Sequence, residues 1–256
     1  MPRNTRHARS PITSNVAHGV AAAFASVDSS FPIRRIAFVA VAGIALLVGS
    51  SSAALAQFPG LPVIESGFFH PGRAAGFNLG LAEDATAYVA AASWVPASAG
   101  WKATAGLGYL RLPDDGALAL GLRAAYPLPF AGAGDSTSTI GIAAFAGGGG
   151  YHLNGVTSLA VPLGLTAGYR GALPGGRAYA VHAAPFLVYN HASGTLSGSE
   201  TNVSASGFVI RLGVGGDFAL TPRAGLSLAL EFGQDPDSDD PGTRGTVLGV
   251  GASLRF

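Results

Sequence analysis

Thr246-Val-Leu-Gly-Val-Gly-Ala-Ser-Leu-Arg-Phe256 closes the chain, and its alternation decides how the rest is read. In an extended strand, successive side chains point to opposite faces. Leu248, Val250, Ala252, Leu254 and Phe256 therefore share one face, and Val247, Gly249, Gly251, Ser253 and Arg255 the other. One face is apolar, the other mostly small or polar, and the last residue is aromatic. Segments with this period recur upstream. We read ten, at about 74–82, 86–95, 101–111, 117–127, 138–149, 156–170, 177–191, 206–219, 224–233 and 246–256, separated by turn residues. None sustains the 3.6-residue apolar stripe of a helix. The fold expected is all-β, an antiparallel up-and-down barrel of ten strands, or eight if the first two segments lie outside the wall.

Composition points the same way. The 256 residues are 48% hydrophobic and only 11% charged, with 38 Gly and no Cys. Soluble domains carry roughly 25% charged residues, so this chain has surplus surface that needs no water. A formal charge of +1 lacks the basic excess of a nucleic-acid binder. Absence of Cys removes disulfides, thiolate catalysis and zinc–thiolate sites together. The apolar run Ile36–Val48 is too short to cross a bilayer of about 30 Å as a helix. Arg34-Arg35 precede it and Ser50-Ser-Ser-Ala-Ala-Leu-Ala56 follow it, which reads as a secretory signal peptide cleaved before Gln57. Phe38 sits one place too late for a twin-arginine signal, so the general secretory route is expected. The chain then divides into an N-terminal extension and signal peptide (1–56), an irregular periplasmic lead-in (57–73) and the barrel (74–256). Pro59, Pro62 and Pro71 make the lead-in irregular.

A final strand ending on Phe resembles the assembly signal of bacterial outer-membrane β-barrels, and the pattern of Gln57–Phe256 is similar to their small single-chain members. The resemblance implies a transmembrane barrel in a Gram-negative outer membrane, with Phe256 as assembly signal. It also implies outer-membrane lipid and the outer-membrane assembly machinery as partners, no cofactor, and both mature termini in the periplasm. Membrane strands need ~9–11 residues at their tilt, and bacterial single-chain barrels have even strand numbers. Counting back from Phe256, the long 7–8 (His191–Ala205) and 9–10 (Gly233–Gly245) loops are extracellular. The short 6–7 (Leu173–Gly176) and 8–9 (Leu220–Pro222) turns are periplasmic. The 4–5 connection, Pro127–Thr137, is longer than this rule prefers.

Aromatic residues give an independent check. Phe77, Trp94, Trp101, Tyr126, Tyr169, Tyr179, Phe218 and Phe256 fall outward near periplasmic ends. Tyr88, Tyr109, Tyr189, Phe208 and Phe232 fall outward near the other ends. Two such girdles are what a membrane barrel places at the two interfaces. Pro162 and Pro185 predict local irregularity, since a strand proline belongs at an edge or bulge. The Gly147–Gly150 run predicts fraying at the top of strand five.

The inward faces hold Lys102, Arg123, Thr166, Arg170, His182, Asn190, Arg211, Asp217, Glu231 and Arg255 among many Gly and Ala, a pattern that suggests a narrow wet passage. Buried charge must be paired or hydrated. If strands eight and nine turn about Thr221, residues whose numbers sum to 442 oppose each other, and Arg211 meets Glu231. A structural ion pair filling the lumen is preferred there to a gating or selectivity role. Nine of the fourteen acidic residues fall in extracellular loops: Glu83, Asp84, Asp114, Asp115, Glu200, Asp235, Asp237, Asp239 and Asp240. Asp235-Pro-Asp-Ser-Asp-Asp-Pro241 is similar to the start of a calcium loop. It has Asp240 where that loop needs Gly and Thr246 where it needs Glu. A solvated acidic loop that attracts divalent cations is the reading adopted, with no dedicated metal site.

His191-Ala-Ser193 is the arrangement with catalytic chemistry in it, a base and a hydroxyl on one face. It resembles the His-x-Ser of outer-membrane lipid A deacylases. Here Gly194 stands where that family has Asn, and Ala205 where an acidic partner is wanted, which leaves Glu200 to substitute. His182 and His70 have no neighbours at metal-ligand spacing. Ten-stranded outer-membrane proteases are similar in strand count alone. The function expected is a non-enzymatic outer-membrane barrel, structural, adhesive or a narrow, weakly conducting, porin-like pore. The alternative is a lipid-modifying hydrolase using His191 and Ser193.

Overall fold

The computed structural model describes residues 61–63, 71–82, 85–97, 100–129, 140–173, 176–195, 202–234 and 244–256. Ten strands follow one another: β1 (Gly72–Leu81), β2 (Thr86–Val95), β3 (Lys102–Arg111), β4 (Gly116–Pro127), β5 (Ile140–Leu153), β6 (Val156–Ala172), β7 (Ala178–Thr195), β8 (Asn202–Ala219), β9 (Ala224–Gln234) and β10 (Arg244–Arg255). Each pairs antiparallel with its neighbours in sequence, and β1 pairs with β10, which closes the barrel. The ten-strand expectation holds and the eight-strand variant falls.

The registers carry the alternation around the wall. On the inner face Asn78 pairs with Val89, Val89 with Gly108 and Gly108 with Ala119. On the outer face Tyr88 pairs with Tyr109 and Tyr109 with Leu118. Strand β4 shows the contrast: Leu118, Leu120 and Leu122 are 69%, 65% and 67% exposed, whereas Ala117, Ala119 and Arg123 are 4%, 2% and 7%. The expected outward aromatics within strands all face outward. They pair at both levels, Tyr169 with Tyr179 toward the rim that carries the barrel's two ends and Tyr189 with Phe208 toward the opposite rim. At the terminal rim Trp94 and Trp101 meet edge to face at 5.5 Å.

Several expectations need correction. Strands β8 and β9 do not turn about Thr221. Arg211 pairs with Gly233 and Gly213 with Glu231, a slip of two residues from the expected register. The turn centres on Pro222 because the N–H groups of Leu220 and Thr221 reach Ala224 O. Thr221 Oγ1 in turn accepts the N–H groups of Arg223 and Ala224. A slip of two keeps every side chain on its face. The prolines interrupt the ladder without a bulge. Pairing lapses between Ala146–Leu163 and Gly149–Ala160 beside Pro162, and between Gly164–Phe186 and Ala167–Ala183 beside Pro185, with the register unchanged. Each proline lacks the N–H its neighbour would accept.

The glycine run does not fray. Strand β5 continues to Leu153, and a Cβ on Gly147 or Gly150 would lie 2.7 Å from Leu122 O or 2.6 Å from Ser158 O. Glycine here lets three backbones come close. Asn154 and Gly155, both at positive φ, then make the two-residue turn that suits a tight hairpin. The loop asymmetry is weaker than expected. β7 and β8 run on to Thr195 and from Asn202, and the strand ends with the longest stretch of sequence between them, Pro127 and Ile140, are at the terminal rim. The lead-in also differs: β1 begins within it at Gly72, and Leu61, Pro62 and Val63 lie inside the barrel.

Candidate functional site

The charges converge in the lumen, so the candidate site is built from the inward faces. Arg211 on β8 and Glu231 on β9 have side chains 1% and 0% exposed, and Arg211 Nε donates to Glu231 Oε1. The pair is diagonal across the ladder. Glycine stands opposite each partner: a Cβ on Gly233 would meet Arg211 Cγ at 3.0 Å. Arg211 Nη2 also donates to Gly245 O at 3.2 Å, which fixes the guanidinium plane. The expected ion pair forms, with a different register.

Arg123 reaches in from β4. Its Nη2 donates to Pro62 O at 3.1 Å, and its guanidinium carbon lies 5.6 Å from the centre of the Phe145 ring. Phe145 meets Phe186 edge to face at 6.0 Å. Leu61, fully buried, packs with Phe186, Ala160, Ala184, Val188 and Val209. Val63, 3% exposed, packs with Ala229 and Val247. The middle of the lumen is therefore filled, where the small inward residues had suggested a wet passage. Phe145 and Phe186 share parity with inward Gly147 and Ala184, so their direction was legible though overlooked. Nothing periodic marked Leu61 and Val63.

Toward the terminal rim the lumen keeps a cavity of about 250 Å³, bordered by inward Lys102, Arg170, Arg255 and Asp217. His182 Nδ1 lies 3.7 Å from Asp217 Oδ2. Thr166 is buried and Asn190 half-buried, both inward. The inward set is brought together as expected, but in two levels, a packed middle and a basic vestibule.

His191 and Ser193 both lie on the outward face of β7 toward the opposite rim, as expected. The His191 ring stacks on Tyr189 at 6.5 Å and 8°, and its Nδ1 has no hydrogen-bond partner among the described residues. Ala205 pairs with Ala192, so that strand brings no carboxylate beside the imidazole. Acyl transfer asks for a carboxylate or similar group to orient such a base, and β8 places Ser206 opposite it. His70, Glu83, Asp84, Glu200 and Asp235–Asp240 lie outside the described residues, so the acidic-loop and calcium-loop readings do too. Asp115 is described, and it accepts the side-chain N–H of Asn154 at 2.6 Å. Among the described residues no group of three His, Asp or Glu could hold a metal ion. Phe256 ends the wall at the β1–β10 seam, where its N–H donates to Arg73 O at 3.1 Å.

No protein-family model matches the sequence, and no curated protein matches it. Solved structures similar to the chain include bacterial proteins of low identity. The translocator domain of autotransporter NalP from Neisseria meningitidis is 12% identical over 74% of this chain and 91% of that one, with a TM-score of 0.45. The N-terminal β-barrel domain of Pseudomonas aeruginosa OprF is 11% identical over 72% and 96%, with a TM-score of 0.36. Ail, the attachment invasion locus protein of Yersinia pestis, is 12% identical over 73% and 100%, with a TM-score of 0.34.

Proposed function

We propose that this chain is an integral β-barrel of a bacterial outer membrane, structural or adhesive in role and not an enzyme. The outward face carries the reading. Leu118, Leu120, Leu122, Leu163, Phe208 and Ile210 are each more than 60% exposed, on β4, β6 and β8 of one closed wall. No single partner surface covers a belt that runs around a barrel, whereas a lipid annulus does. In hydrocarbon every backbone polar group needs an internal partner, and a closed barrel supplies one strand to strand. Aromatic residues at two levels match the two interfaces. On this reading the terminal rim is periplasmic, and Phe256 is the signal that the assembly machinery reads.

Among non-enzymatic roles, the filled mid-lumen favours a structural or adhesive barrel over an open pore. Beside His191, β8 brings Ser206 and Ala205 and not a carboxylate, which favours it over a hydrolase. The test is fractionation of cells that produce the full chain. The expected outcome is a band in the outer membrane that resists carbonate extraction and migrates faster unheated than boiled. Recovery in the soluble fraction would defeat the membrane reading. Lipid profiling settles the rest: loss of an acyl chain that depends on His191 would restore the hydrolase.

A further inference from the structure

We infer that the inner wall is a built seat for the chain's own Leu61-Pro62-Val63, and that this segment closes the lumen. The segment touches three sides of the wall. Leu61 packs on β6, β7 and β8, Val63 on β9 and β10, and Pro62 O takes a hydrogen bond from Arg123 on β4. Contacts on opposite sides mean that the segment crosses the lumen and does not line it.

The seat has a shape complementary to this occupant. At Gly249 of β10 a Cβ would lie 2.7 Å from Val63 Cγ2 and 2.8 Å from Val63 Cβ. No side chain fits there while Val63 is in place. On the other side, Ala160 and Ala184 keep the wall thin where Leu61 enters. The backbone chemistry fits as well. A chain crossing an apolar lumen must satisfy its own polar groups. Pro62 has no N–H to satisfy, and Arg123 takes its carbonyl. Arg123 also lies over the Phe145 ring, so the latch has a second anchor on the wall. An apolar–Pro–apolar segment with this spacing is the occupant the seat selects.

Two measurements on the full chain test this, and only the second rests on the membrane reading. The chain has no Cys, so Val63→Cys gives a single reporter thiol. In the folded, heat-modifiable barrel in detergent, a charged maleimide should fail to label it. It should label an exposed control, Ala97→Cys, promptly. Adding Gly249→Leu to Val63→Cys should expose the thiol by filling the seat. Labelling of Val63→Cys as fast as the control would overturn the seat, as would continued protection after Gly249→Leu in a barrel that still folds. In planar bilayers the unmodified chain should show no steady conductance, and the Leu61→Gly/Val63→Gly double variant should gain open-channel steps. Steady conductance of equal size in both, or silence in both, overturns the closure.

Discussion

Glu231→Gln is the perturbation with the largest expected cost for the smallest change in shape. Glu231 is fully buried, and Arg211, 2% exposed, gives it Nε while keeping Gly245 O through Nη2. Removing the charge strands a guanidinium that cannot deprotonate. Breaking a buried pair in this way costs about 3–5 kcal/mol. The retained Gly245 bond and the amide oxygen of Gln put the expectation near the lower end. At about 1.4 kcal/mol per factor of ten, that is at least a hundredfold fall in the folded-to-unfolded ratio. Adding Arg211→Gln removes the stranded charge and should recover part of the loss. Urea titration of the barrel folded into lipid vesicles, followed by heat-modifiable mobility, reads both. A neutral Glu231→Gln, or a double variant no better than the single, would refute the reasoning.

Three further outcomes are expected. Leu228 is outward and 42% exposed, and its neighbour Ser227 borders the vestibule, so Leu228→Arg should cost about 2–4 kcal/mol and Ser227→Arg clearly less. Equal costs in the same titration would mean the faces are wrong. Deleting Phe256 should lower the yield of assembled barrel in the outer membrane, and an unaltered yield argues against an assembly role. Mature protein should begin at Gln57, and N-terminal sequencing that starts far from it sinks the signal-peptide expectation.

The wall was legible because strand geometry writes itself into the sequence with a period of two. Leu118, Leu120 and Leu122 alternate with Ala119, Gly121 and Arg123, and no other period accommodates them. The same geometry hid the β8–β9 register. A slip of two residues exchanges one inward partner for another and leaves the pattern intact. Only the turn distinguishes them, through a Thr221 hydroxyl that caps two N–H groups. The ion pair survived the slip because both side chains are long enough to meet diagonally. The lumen's contents were harder to read. Leu61 and Val63 gain most of their environment from residues between roughly one hundred and two hundred positions away, and three residues around a proline carry no period.

The abundance of small inward residues then has a physical cause. Protein interiors fill to crystal-like density, and a ring of ten strands encloses more space than Gly and Ala alone occupy. Here different neighbours use the space that a missing Cβ leaves. Gly147 gives it to the backbone of β4, Gly233 to Arg211, and Gly249 to Val63. The lead-in supplies part of the volume that the wall's own side chains leave out. A substitution at Gly249 would therefore act on a segment more than 180 residues earlier in the chain, through the lumen and not along the strand.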